Sequence, residues 1–194
     1  MGRRAGAEPL TPERIFDAGL ALIDEAGVDG LSMRRLGASL GVDPMAIYHH
    51  VPNKEALFHG IVHRVFAGMP KPDESGSWPT RVRHWARAYR AVVEAHPSLV
   101  VRIVTSPDAV SVAAGEANAA LHRALALSRL RPADVERGAN VVVDYVNGAV
   151  LATAAGQLLD DDLRQALDDA FEFGLDVVIA GLVHLVPDNL YGVE

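Results

Sequence analysis

Apolar residues recur along this chain at spacings of three and four, the period of an amphipathic helix, and no alternating strand pattern competes with them. The first run opens at Thr11-Pro12-Glu13, which supplies an N-cap, a proline at the first helical position and an early carboxylate. Ile15, Ala18, Gly19, Leu22, Ile23 and Ala26 follow on one face, and Gly27 ends the run before a Val28-Asp29-Gly30 turn. Ser32 is placed to cap a second helix, Met33 to Leu40, with Met33, Leu36 and Leu40 inward. Gly41 stops it, Val42 packs inward, and Asp43-Pro44 starts a short third helix reaching about His50. Pro52 breaks the chain again, and Asn53 caps a fourth helix with the stripe Leu57, Phe58, Ile61, Val62 and Val65.

The pattern is interrupted from Met69 to Pro79, where Pro70, Pro72, Gly76 and Pro79 stand among serines. Beyond it, Val82, Trp85, Tyr89 and Val92 mark a helix from Thr80 to Ala95. A short apolar piece between Pro97 and Pro107 follows, then an alanine-rich helix from about Ala109 to Leu127. Arg131-Pro132 starts a long helix from about Ala133 to Leu158, and Asp160-Asp161-Asp162 precede the last, Leu163 to Leu185. The expectation is an all-α fold with two domains: a helix-turn-helix domain over 1–68 and a helical domain over 80–194.

Composition narrows the classes. The chain of 194 residues is long enough for a sizeable core and contains no cysteine, which excludes disulfides and thiol catalysis. No apolar run approaches the roughly 20 residues of a membrane span, and Met1 to Leu10 lack the apolar core of a secretion signal. A soluble, cytoplasmic protein without membrane association is expected. Net charge is −7, and it is unevenly placed: residues 1–66 hold seven Lys/Arg against eight Asp/Glu, the remainder eleven against seventeen. The acidity therefore lies in the second part, and local placement of cations governs phosphate contact more than the total does.

Leu31 to Lys54, LSMRRLGASLGVDPMAIYHHVPNK, carries the clearest chemistry. Two short helices about a tight Gly41-Val42-Asp43 turn make a helix-turn-helix, whose second helix enters the major groove. Leu36, Ala38, Leu40, Val42 and Ile47 are the small and apolar residues available to brace one helix on the other. Met45 and Ala46 cannot hydrogen-bond a base, so any direct readout there is apolar, as against a thymine methyl.

Other constellations are blander. His59 and His63 stand four apart with Glu55 a turn earlier, but the pattern lacks further converging ligands and reads as a polar face, so no metal is expected. Asp160, Asp161 and Asp162 read as helix-start carboxylates. Arg83, Arg87 and Arg90 share a face that reads as solvated and salt-bridged, with Arg81 in the same run. No GxSxG element or glycine-rich phosphate loop is present, so neither an enzyme nor a cofactor is expected.

Thr11 to about Phe66 resembles the DNA-binding domain of the TetR family of repressors. The resemblance rests on Ala26-Gly27-Val28-Asp29-Gly30-Leu31-Ser32-Met33-Arg34, Leu40-Gly41-Val42, Ile47-Tyr48-His49-His50-Val51 and Asn53-Lys54-Glu55-Ala56-Leu57. It implies that Arg34 reaches a base edge from the first helix of the motif. It also implies that Pro44, Met45, Ala46 and His49 form the readout surface, and that Tyr48, His50 and Lys54 touch phosphates. The partners it implies are a near-palindromic double-stranded operator, a small-molecule effector and a second copy of the chain. Arg3 and Arg4 read as a flexible tail.

The alanine-, valine- and leucine-rich second part suits an apolar cavity with sparse polar groups. Candidate lining residues are Trp85, Tyr89, Arg102, Ile103, Asn118, His122, Asp144 and Asn147. Val101-Arg102-Ile103 stands near the place where the family's tetracycline-binding members carry a magnesium-holding histidine, so the resemblance does not extend to that chelate. For the dimer interface, the expected stripes are Phe171, Leu175, Val178, Leu182 and Leu185, with Val142, Val146, Ala149, Val150 and Thr153 beside Gly148 and Gly156. Two alternatives remain at this point: a ligand-binding helical dimer without a DNA role, and an activator of the same family.

Overall fold

The computed structural model describes residues 9–105, 115–154 and 160–186. Arg3 and Arg4 lie outside these, as do Pro107, the expected helix start at Ala109, and Gly156. The described elements are α1 (Pro12–Ala26), a 3₁₀ turn (Val28–Gly30), α2 (Met33–Leu40), α3 (Pro44–Tyr48) and α4 (Lys54–Ala67). After the linker come α5 (Trp78–Ala95), α6 (Pro97–Thr105), α7 (Gly115–Ala126), α8 (Pro132–Ala154) and α9 (Asp161–His184). Among the described residues, no helix is long and apolar enough to cross a membrane.

The expected N-caps at Thr11, Ser32, Asp43 and Asn53 are in place, and Asp160, read as a helix-start carboxylate, caps the last helix. Thr11 Oγ1 accepts from Arg14 N, Ser32 Oγ from Arg35 N and Asn53 Oδ1 from Ala56 N. Asp43 Oδ1 accepts from Met45 N, and Asp160 Oδ1 from Leu163 N. Each satisfies a first-turn amide that has no intrahelical acceptor. Some boundaries moved by two residues: α3 ends at Tyr48, α9 starts at Asp161, and α5 starts at Trp78, because Pro79 at a first-turn position begins the helix instead of closing the linker.

α1 packs on α2 and α4, and α2 on α3, to form the N-terminal head. Ile15, Ile23, Leu36, Ile47, Leu57, Ile61 and Val62 are among its fully buried residues. Ala26, expected on that inner face, is exposed instead. In the body, α5 packs against α7 and α8, and α8 also meets α6, α7 and α9. The linker marks a break in the sequence but not in the core. Phe66 of α4 stacks on Tyr89 of α5 at 5.1 Å, and Tyr89 on Trp85 at 4.8 Å. α6 lies against both α1 and the 3₁₀ turn, so head and body share one hydrophobic interior.

The basic face of α5 is a salt-bridged ladder. Arg83 pairs with Asp176, Arg87 with Glu172 through two hydrogen bonds, and Arg90 with Asp168 of α9. The acids sit four apart and run antiparallel to the arginines, so one turn of each helix matches one rung. Glu172 is held below the usual carboxylate range by its hydrogen bond from Arg87. Being mostly exposed, the rungs orient α9 more than they stabilise it.

That orientation reverses one expectation. Phe171, Leu175 and Leu182, expected at a subunit interface, are buried within this single chain. Phe171 stacks on Tyr145 at 5.7 Å, and the Arg90 guanidinium lies over the Phe171 ring at 4.3 Å from its centroid. Val142, Val146 and Val150 of α8 are likewise internal. α9 is apolar on two sides, and its outward side carries Phe173, which is 72% exposed, together with Val177 and the small Ala170, Ala180 and Gly181.

Candidate nucleic-acid interface

The turn of the motif depends on two glycines. Gly41 ends α2 at φ 68°, ψ 30°, a left-handed conformation that costs glycine little. A side chain at Gly37 would stand 2.9 Å from the Val42 carbonyl oxygen and 3.2 Å from the Pro44 ring, so its absence lets α3 close on α2. Val42 N donates to Gly37 O at 2.9 Å across that gap. Ile47 is the fully buried anchor of α3, with Leu36 buried on the facing helix.

With Ile47 turned inward, the rest of α3 faces out. Met45 is 64% exposed and Tyr48 42%, His49 and His50 are exposed, and Pro44 and Ala46 are half-buried. Arg34 is exposed on α2, and Lys54 is exposed at the first position of α4. The structure therefore brings Arg34, Pro44, Met45, Ala46, Tyr48, His49, His50 and Lys54 to the head's three-helix outer surface. The exposed chemistry of α2, α3 and the start of α4 is an apolar side chain at Met45, a guanidinium, an ammonium, a phenol and two imidazoles. Arg35, which the sequence reading left out, is also exposed and lies beside Gly30. Its signal was the doubled arginine, Arg34-Arg35.

The body residues divide. Trp85, Tyr89, Ile103 and Asn147 lie in the interior. Trp85 Nε1 donates to Ala117 O at 2.7 Å, and Tyr89 OH donates to Asn147 Oδ1 at 3.2 Å. Burial pushes the Tyr89 phenol up to about 12, against the opposing pull of its bond to Asn147. Asn118 is half-buried, and its Oδ1 is shielded without a hydrogen-bond partner. His122 is half-buried with Nδ1 3.6 Å from Glu136, and Asp144 is exposed. Arg102 is exposed and places its guanidinium 5.7 Å from the Phe58 ring, at the junction with the head. His59 is half-buried and His63 exposed on α4.

Residues 15–61 match the family described as bacterial regulatory proteins, tetR family. The chain is 29% identical over 181 residues to the HTH-type transcriptional repressor DrrR1 of Streptomyces coeruleorubidus, covering 87% of this chain but only 63% of that one. It is 29% identical to the class A tetracycline repressor protein from transposon 1721 of Escherichia coli, over 94% of this chain and 96% of the repressor. Its fold is similar to that of Mycobacterium smegmatis BioQ, with TM-score 0.79 and 26% identity over 91% of this chain and 99% of BioQ. It is also similar to BioQ solved with its double-stranded DNA operator, with TM-score 0.75 and 25% identity over 91% and 99% of the two chains.

Proposed function

This chain belongs to the TetR family of bacterial regulatory proteins, and on that premise we propose that it is an operator-binding repressor released by a small molecule. The observation that carries the reading is the α2–turn–α3 surface. It exposes Arg34 on α2 and Met45, Tyr48, His49 and His50 along and just after α3, with Lys54 exposed at the start of α4, and α3 is the helix that would enter a major groove. BioQ, similar over nearly its whole length, has been solved on its DNA operator. The protein acts in the cytoplasm as a homodimer whose two heads meet successive major-groove faces of a near-palindromic site. The exposed apolar side of α9, with Val141, Gly148 and Ala152 outward on α8, supports a four-helix contact between subunits.

The effector enters the body among α5, α7 and α8. The shielded, unpaired Asn118 Oδ1 and the interior Tyr89–Asn147 pair support that placement, since a ligand donor there would satisfy a group now lacking a partner. Release follows if the effector binds more tightly to a conformer whose heads are wrongly spaced; equal affinity for both conformers would shift nothing.

Three substitutions test the DNA surface, on operators obtained by selection from randomised duplexes. Lys54→Ala should weaken binding to all sequences alike and make the log-affinity against log-salt slope shallower by about one unit. A salt slope identical to wild type would remove Lys54 from the phosphate contacts. Arg34→Ala should cost about 1–3 kcal/mol at one guanine per half-site and relax the preference there alone. If affinity instead fell equally for every sequence, Arg34 would be a phosphate anchor. Ala46→Gln in the same selection should add an adenine preference, since glutamine can pair with adenine N6 and N7.

A further inference from the structure

His96 stands where three elements meet. Its backbone ends α5 by donating to Val93 O at 3.2 Å, and its carbonyl accepts from Leu99 N at 2.9 Å to begin α6. Its side chain leaves the body and reaches α1, with Nδ1 3.1 and 3.0 Å from the two carboxylate oxygens of Asp24. Close by, α5 stands off the packed pair of α1 and α4. They enclose an open groove of about 480 Å³ floored by Leu20, Val65, Ala91, Val92 and Ala95, with His96 on its wall. Where apolar packing is thin, a directional bond has more influence on the angle between two bodies.

We propose that His96 is a positioning residue: through Asp24 it clasps the body to α1 and sets the angle at which the DNA-binding head is held. This rests on the repressor reading only for its consequence at the operator; the clasp itself concerns head and body alone. Histidine is the side chain whose ordinary charge change falls between pH 5 and 8. An imidazolium bonded to a carboxylate makes a charge-assisted bond, stronger than the one a neutral ring donates. The clasp therefore tightens toward acid and slackens toward alkali. Other charged groups around it are engaged elsewhere or turned to solvent. Asp17 of α1 is held by Arg64 of α4, Glu94 of α5 by Arg90, and Arg102 of α6 lies over Phe58. Glu25 and Asp29 are exposed.

Operator affinity is a poor readout, because it also reports on the contacts of the DNA surface itself. A head-to-body distance measured without DNA avoids them. The chain has no cysteine, so Ala38→Cys on the head and Ala133→Cys on the body give two unique spin-label sites. Dilution with unlabelled chains makes each labelled chain report its own distance, whether or not it dimerises. The distance distribution should be narrower at pH 5.5 than at pH 8. His96→Asn keeps a neutral donor near the Nδ1 position and should give the broader distribution at both pH values, as should Asp24→Asn. Superimposable wild-type distributions at the two pH values, or a pH response that survives in His96→Asn, would overturn the clasp. Failure of the repressor reading would show separately, as no sequence enriched in the operator selection.

Discussion

Phe173→Glu is expected to convert the proposed dimer into folded monomers. Phe173 is 72% exposed on the outward side of α9, in line with Val177 and flanked by small residues, so a partner helix can approach closely there. An unpaired carboxylate in an apolar contact costs several kcal/mol. A symmetric dimer buries two, so a loss of about 4 kcal/mol, about a thousandfold in dissociation constant, is a low expectation. Sedimentation should show the monomer while circular dichroism and melting stay close to wild type. Leu182→Glu supplies the contrast. Leu182 is 5% exposed and packs on Gly138 of α8 within the same chain, so that change should unfold the body instead of separating subunits. A folded Phe173→Glu variant that stays dimeric at low concentration would place the interface elsewhere.

Trp85→Ala should cost about 3–5 kcal/mol, the usual range for emptying a large aromatic site. Trp85 is fully buried, stacks on Tyr89 at 4.8 Å, and ties α5 to α7 by donating to Ala117 O. Tyr89 in turn stacks on Phe66 of the head, so the loss is felt across the linker. Against a total stability of about 5–15 kcal/mol, such a loss moves the urea midpoint by a large fraction of its value. Trp85→Phe keeps a ring and loses the N–H donor; it should cost about 1–3 kcal/mol, from the bond and the partly emptied site together. If Trp85→Ala shifted the midpoint by less than Trp85→Phe, the ring would not be a structural centre of the body.

Much of the head was readable because its signals are local. A cap needs one side chain and the amide two or three residues on, and Thr11, Ser32, Asp43 and Asn53 all cap where they were expected to. Gly41 needs only its own φ, and Ile47 is pinned inward by the shortness of α3. The outward set Arg34, Met45, Tyr48, His49, His50 and Lys54 then follows from which side remains. The body was less readable. Of the eight residues suggested as cavity lining, Trp85, Tyr89, Ile103 and Asn147 lie inside, whereas Arg102 and Asp144 lie at the surface. Isolated polar residues on alanine-rich helices carry no periodic sign of which way they turn.

By itself the sequence determined the helices, most of their caps, the turn of the motif and which of its residues are left exposed, because each of these depends on neighbours a few positions away. Only the tertiary structure decided which side of α9 is core. Phe171 and Phe173 are two residues apart and equally apolar, but an α-helix turns about 200° between them, so they point to nearly opposite sides. The choice came from other elements: Tyr145 and Arg90 cover Phe171, and the Asp168, Glu172 and Asp176 row is drawn onto the arginines of α5. The Asp24–His96 clasp is of the same kind, since its partners are 72 residues apart and no local pattern joins them. Helical period reports that a face is apolar; which apolar face is buried depends on what packs against it.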